Sequence, residues 1–401
     1  MRRPWLVPAA LLLVSGVGLT GGPAAPASAL TKQPAVTAVV ATGVVNSPGG
    51  IALDAAGDLF VADTDHCRVV VLPHGAGSMY GLRVKAGHVY DVAGSSCGHG
   101  GHDALGYPTG VAVDQHGDVF IAEAAEQRVQ VVRPGGRGGP HPAITVAGTG
   151  LAGYDGSGLL ATKSTLNQPT GVAVDAAGDL FIADTANCRV RVLPAASGTQ
   201  FGQAMTVGHL YDVAGNGVCG SGDRSGPAGL AQLANPVAVA LDRAGDLFVA
   251  DQGDQSVLEA PVHGGFYYGT VIGGGDIATI VGGNGHGPYL EDGLPAASVA
   301  AEMNDPEGLA VGSDGTLYIT DGAMHCIRVV PDATRSLFGR AMKGGSLYTL
   351  AGALPISTSS GAGNGTRWVL THLGVPTGIA VAPSGDVIFS DRGLSQVREI
   401  G

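Results

Sequence analysis

Three histidines flank two cysteines early in the chain: His66 precedes Cys67, and His99 and His102 follow Cys97. Three imidazoles drawn to one place could hold a zinc or copper ion. The same histidines on a solvated, glycine-rich loop would hold nothing, and the spacing alone leaves both readings open. A fourth histidine, His325, stands four residues after Asp321, as Cys67 stands four after Asp63. Asp155, Asp223, Glu291 and Asp292 could offer Ca²⁺ a few oxygens, although none follows the spacing of a calcium loop. Neither the G-x-S-x-G elbow, the phosphate-binding G-x-x-x-x-G-K-[ST] loop nor H-E-x-x-H is present. With 68 glycines, a match to G-x-G-x-x-G carries no information.

What must position these residues is a sentence written six times. Copies begin at Pro48, Pro108, Pro169, Pro236, Pro306 and Pro376 and read roughly P-x-G-[VIL]-A-[VL]-D-x-x-G-D-[LV]-[FY]-[VI]-A-D. A glycine stands nine residues after every proline, and an acid fifteen after: Asp63, Glu123, Asp184, Asp251, Asp321 and Asp391. Such a register implies repeats too short to bury a core singly, assembled side by side. Residues that recur are therefore structural first, and function is sought in departures from the pattern.

Within one copy, Gly171-Val172-Ala173-Val174-Asp175 is a short apolar run and Ala176-Ala177-Gly178-Asp179 a turn. Leu180-Phe181-Ile182-Ala183-Asp184 reads as a second strand, and Arg189-Val190-Arg191-Val192 alternates like a third. His209-Leu210-Tyr211-Asp212-Val213-Ala214 completes the unit as a fourth, outer strand. Four antiparallel strands repeated radially describe a β-propeller blade. The pattern, with C-R-V after it in two copies, resembles the NHL repeat. The linker Gly148-Thr149-Gly150-Leu151-Ala152-Gly153-Tyr154-Asp155-Gly156 is similar to that of its exported bacterial variety. The resemblance covers residues about 36–401. It implies an all-β, six-bladed propeller, used in this family as a binding platform and less often as an enzyme. A related propeller, the peptide-amidating lyase, uses a histidine-bound zinc, but its ligands do not map onto this chain residue by residue.

Three expectations follow for the architecture. The last copy ends at its third strand, Gln396-Val397-Arg398-Glu399-Ile400, while residues 36–42 resemble a fourth strand. The N-terminal strand should complete the last blade and remove two open sheet edges. Four copies carry an aromatic-glycine pair between their third and fourth strands (Tyr80-Gly81, Phe201-Gly202, Tyr268-Gly269, Phe338-Gly339), expected to be extended outer hairpins. The repeat acid and an arginine five residues on (Asp63 and Arg68, Glu123 and Arg128, Asp184 and Arg189) should pair and tie strands together.

Cys67 and Cys188 begin third strands, and Cys97 and Cys219 follow the fourth strands of the same blades. Those positions are neighbours in an antiparallel blade, so Cys67–Cys97 and Cys188–Cys219 are expected disulfides. If Cys67–Cys97 closes, His66, His99 and His102 gather on one sector of the rim. Cys326 occupies the slot held elsewhere by Arg68, Arg128 and Arg189, has no partner in its linker, and is expected to be a free, buried thiol.

Arg2-Arg3, the apolar stretch Leu6 to Leu19 and Ala27-Ser28-Ala29 read as an export leader over residues 1–29, by the general secretory or the twin-arginine route. Residues 30–401 are expected to be one propeller domain. The formal net charge of −12, more negative still without Arg2 and Arg3, disfavours nucleic acid and anionic membrane. The reading is a secreted, monomeric binding or scaffold module for a protein, peptide or glycan, with no cofactor and no membrane span. Its rim candidates are His66, His99, His102, Asp155, Asp223, Glu291, Asp292 and His325. The alternative is a metal-dependent lyase or hydrolase built on His66, His99 and His102.

Overall fold

A computed structural model describes residues 35–94, 96–97, 104–135, 142–222, 224–283, 292–298, 301–352 and 372–401. Six antiparallel sheets stand around one axis, and among the described residues there is no α-helix. Their innermost strands are Pro48–Leu53, Pro108–Val113, Pro169–Val174, Pro236–Leu241, Pro306–Val311 and Pro376–Val381. Each touches the next, and the last touches the first, which closes the ring. Blade 6 takes its outer strand from the N-terminus, as its sequence implied: Val36–Val40 pairs with Gln396–Ile400, with Val36 opposite Ile400 and Ala38 opposite Arg398.

The recurring polar residues are consumed by the backbone. Asp54 Oδ1 accepts N–H groups from Ala56 and Asp58, both at 2.9 Å, and Gly57 adopts φ +84° to let the chain turn between strands one and two. Asp114, Asp175 and Asp242 do the same in blades 2 to 4. The next acid in the motif (Asp58, Asp179 or Asp246) accepts an N–H from His74, Ala195 or Val262, just past strand three.

Apolar side chains meet between blades, so the core is a set of inter-blade layers. Phe181 and Val190 of blade 3, for example, share one cluster with Val239 and Leu247 of blade 4. The aromatic-glycine pairs are the turns of hairpins (Gly77–Met79 with Leu82–Val84, and three like it). Both turn residues have positive φ, 47° at Tyr80 and 73° at Gly81, which suits the twist of a two-residue hairpin. The aromatic folds inward. Tyr80 packs edge-on against Phe60 at 5.9 Å, and Tyr268 against Phe248 at 5.8 Å, while the Tyr268 hydroxyl donates to Gly315 O of the next blade at 2.7 Å. These hairpins therefore act as staples between blades.

Two features lay outside the expectations. Blades 3, 4 and 5 carry a two-residue fifth strand from the preceding linker: Leu159–Leu160, Gly226–Pro227 and Leu294–Pro295. In all six blades the residue four after the repeat acid is left-handed, although none is glycine: Cys67, Gln127, Cys188, Gln255, His325 and Ser395 have φ between 49° and 53°.

Candidate functional site

The repeat acids lie at the end of strand two and are fully buried. Each draws in the linker that enters its blade. Asp63 Oδ1 accepts Asn46 N–H at 2.7 Å, Asp184 accepts Asn167 N–H at 2.7 Å, and Asp251 accepts Asn235 N–H at 2.7 Å. Burial pushes the carboxyls of Asp184 and Asp251 up to about 6, against the lowering effect of those hydrogen bonds. Arginine reaches the acids by three routes. Arg68 and Arg128 pair with Asp63 (2.7 Å) and Glu123 (3.1 Å) as expected. In blade 3 the expectation fails: Arg189 pairs with Asp212 at 3.0 Å, and it is the buried Arg191, two residues on, that faces Asp184 at 3.6 Å. Alternation along the strand explains this, because residues 189 and 191 share a face and the inner of the two lies beneath the linker carbonyls of Gly156 and Thr165. Arg398 serves Asp391 in the same way at 3.1 Å, and burial pushes the Asp321 carboxyl above its ordinary value against the opposing field of Arg328. Asp251 is served from the linker by Arg224, which also lies 3.4 Å from Asp254.

The four rim candidates among the described residues each turn to a partner of their own. His66, with a 43% exposed side chain, turns its Nδ1 to Asp63 Oδ2 at 2.9 Å. His325 hydrogen-bonds through Nδ1 to the carbonyl of Gly374, with blade 6 standing between it and blade 1. Asp155 accepts the N–H of Thr165 at 3.1 Å within its own linker. Asp292 braces the outer edge of blade 5, accepting from Arg340 at 2.7 Å and from Thr349 N–H at 2.7 Å. His99, His102, Asp223 and Glu291 lie outside the described residues. Among the described residues no three His, Cys, Asp or Glu side chains are grouped as metal ligands. Both expected disulfides are present, Cys67–Cys97 and Cys188–Cys219. Cys326 is free and fully buried, and burial pushes its thiol well above the ordinary range.

A concave site lies in the central channel, a cavity of about 460 Å³ lined by all six innermost strands. Every innermost strand is paired on one side only, so six unpaired backbone edges face the axis. The motif glycine lets these strands approach. A β-carbon on Gly171 would sit 2.5 Å from Val237 O, and one on Gly378 2.6 Å from Gly49 O. The residue before that glycine is threonine in three blades, and its hydroxyl is committed to the neighbour: Thr109 donates to Thr170 O at 3.0 Å, Thr170 to Val237 O at 2.8 Å, and Thr377 to Pro48 O at 2.9 Å. Deeper in the channel, Ile51, Val111, Val172, Val239, Leu309 and Ile379 form an aliphatic ring, each 5–8% exposed.

Blade 5 breaks this pattern. Glu307 stands in the threonine slot, and the bond to the next blade's Thr377 carbonyl is made by Thr320 instead. Glu307 Oε1 accepts from Arg392 at 2.9 Å, and both side chains line the channel mouth with Asp65. A β-carbon on Gly322 would sit 3.2 Å from Glu307 Oε1 and 3.3 Å from Asp305 Oδ2, so that glycine leaves room for two adjacent carboxylates. Burial pushes the Glu307 carboxyl above its ordinary value; Arg392 opposes this and Asp305 adds to it. The sequence reading missed this site, although its signal was present: a charged residue in a slot that holds Gly, Thr or Val in the other five copies.

The NHL repeat signature matches residues 45–72, 166–193 and 303–330, the first, third and fifth copies. This chain carries NHL repeats. Its propeller is similar in structure to a protein of unknown function from Bacteroides thetaiotaomicron VPI-5482, with TM-score 0.55 and 14% identity over 92% of this chain and 76% of the other. It is also similar to an auxiliary nutrient binding protein from the same organism (TM-score 0.54, 12% identity, 92% and 77% covered). A gluconolactonase from Xanthomonas campestris has TM-score 0.52 and 13% identity, with 92% and 90% covered. At such identities the likeness shows the fold alone. In sequence, the NHL chain is 24% identical over 262 residues to the chloroplastic protein SUPPRESSOR OF QUENCHING 1 of Arabidopsis thaliana; the match takes in 64% of this chain and 22% of that relative's length.

Proposed function

We propose that this NHL propeller is an exported, monomeric binding module whose ligand, a peptide, a glycan or a small building block of either, enters the mouth of the central channel. The observation that carries this reading is the channel itself: one cavity, reached by all six blades, with a charged mouth, hydrogen-bonding walls and an aliphatic ring below. Concave sites with few convergent polar groups on an apolar base are the usual form of ligand sites. Nutrient-binding propellers among the structural neighbours agree with a binding role. The leader over residues 1–29, cleaved to free a single propeller domain from residue 30, and the two disulfides agree with export. Among the described residues no helix is long and apolar enough to cross a membrane.

The test is capture from the envelope of the producing cell with the wild-type protein and with Glu307→Thr as baits. A ligand retained by the first and lost from the second supports the channel. Metal analysis of the same preparation addresses the enzyme reading. Stoichiometric zinc that disappears on changing His99 and His102 to Ala would overturn the binding proposal in favour of a metal-dependent enzyme.

A further inference from the structure

We infer that the channel mouth recognises a zwitterionic α-amino acid with an aliphatic side chain. This deepens the proposed binding role and rests on it. Such a ligand carries an ammonium, a carboxylate and an apolar side chain on one carbon. The channel presents the complement in the same order. Glu307 lines the mouth, and Asp305 brings a second carboxylate near it in the room left by the missing side chain of Gly322. Arg392 stands beside them, 47% exposed, and only one of its guanidinium nitrogens is engaged among the described residues, with Glu307 at 2.9 Å. The aliphatic ring that includes Val172, Leu309 and Ile379 lies next along the axis. The inner strands run from the mouth inwards, since Pro306 pairs with Asp321 at the rim and Val311 with Leu317 at the far turn. Glu307 thus precedes Leu309 in depth as well as in sequence.

The ligand ammonium would donate hydrogen bonds to the acid pair, the ligand carboxylate would accept from the unengaged N–H groups of Arg392, and the side chain would enter the ring. Other classes fit less well. Among the described residues no three side chains are grouped to hold a metal ion. A polyamine would leave the guanidinium facing a like charge, and a neutral sugar would leave hydroxyl groups against the aliphatic ring. The mouth is also freed from structural duty. Thr320 makes the inter-blade bond that threonine makes in the slot of Glu307 elsewhere, so Glu307 is available to a ligand.

The experiment is calorimetric titration of the protein with L-leucine, N-acetyl-leucine and leucine amide, with amide shift mapping to locate any binding. L-leucine should bind, with shifts at Glu307, Gly322 and Arg392. Removing either ligand charge should weaken binding about tenfold or more, as expected for a lost charge-assisted hydrogen bond. Arg392→Gln should weaken L-leucine to the level of leucine amide while leaving leucine amide itself unchanged. Glu307→Thr installs the residue of the other blades and should keep the thermal midpoint while weakening L-leucine and leucine amide alike. Equal binding of all three ligands, or no binding of L-leucine to wild-type protein, would overturn the inference. If the captured peptide or glycan then shifts the same channel residues, the binding role stands without it. If ligand shifts map only outside the channel, both fall.

Discussion

Blades 3 and 5 have the same strands in the same order, yet they meet the channel differently. In blade 3, Thr170 donates to Val237 O and Gly171 abuts it, so both variable positions of the motif hold blade 4 in place. In blade 5, Thr320 holds blade 6 from the second strand, and Glu307 faces the channel mouth with Arg392. The comparison teaches that a motif residue is legible as structure while its partner is the neighbouring repeat. It becomes a candidate for function when another residue relieves it of that contact.

The largest effect expected from breaking this comparison is at the blade 3 seam. Gly171→Ala places a β-carbon 2.5 Å from a backbone oxygen that cannot move aside, and should cost about 3 kcal/mol in chemical unfolding. The equivalent blade 4 position already holds Ala238, so Ala238→Gly should cost only about 1 kcal/mol. Equal effects at the two positions would show that the seams are not individually fitted.

A second test concerns strand three of blade 4. Glu259 is fully buried there, with no hydrogen-bond partner at either oxygen among the described residues, where blades 1, 2, 3 and 5 have Val71, Val131, Val192 and Val329. Burial, with Asp246, Asp242 and Asp332 nearby, pushes its carboxyl up to about 9 from the ordinary 4.5. The folded state therefore holds a proton that the unfolded chain releases, and stability falls as pH rises from about 4.5 to about 9. Asp184 and Asp251, raised to about 6, add to the fall at its acid end. Glu259→Val should flatten the decline and stabilise the protein by roughly 3 kcal/mol at pH 7. A wild-type thermal midpoint that rises between pH 5 and pH 8 would contradict the assignment.

The disulfides give a contrast of similar size between blades 3 and 4. Cys188–Cys219 closes a separation of 31 residues, and its removal as the double alanine variant should cost about 3 kcal/mol. Blade 4 has Gln255 in the corresponding slot and no bridge, so reductant should lower the stability of blade 3 contacts and leave blade 4 hydrogen exchange unchanged. The smallest effect is at the left-handed residues. Ser395→Gly, at φ 49°, should stabilise by about 0.5–1 kcal/mol, whereas the same change at Cys188 would sacrifice its bridge.

The blade count, the closing role of residues 36–40, both disulfides, the free Cys326 and the hairpins could all be read from the chain. Each depends on local periodicity or on a contact between positions fixed by a repeated register. The rim candidates were less legible. Asp155 and Asp292 come from equivalent linkers, but each turns to bind its own blade, a choice made by whichever N–H or guanidinium lies nearest. Arg189 and Arg191 differ by two residues, and spacing could not say which of them would face Asp184.

Sequence alone determined that six similar sheets would close on themselves, because every copy repeats the turn acid, the turn glycine and the alternation that make one sheet need another. Which glutamate would face the channel, which arginine would cover which acid and which buried carboxyl would lack a partner were decided in three dimensions. Those outcomes depend on contacts between different copies, where the energy of one residue is set by what its neighbour lacks. Glu307 is free of the inter-blade contact because Thr320 already holds Thr377, and the Glu259 oxygens find no hydrogen-bond partner among the described residues.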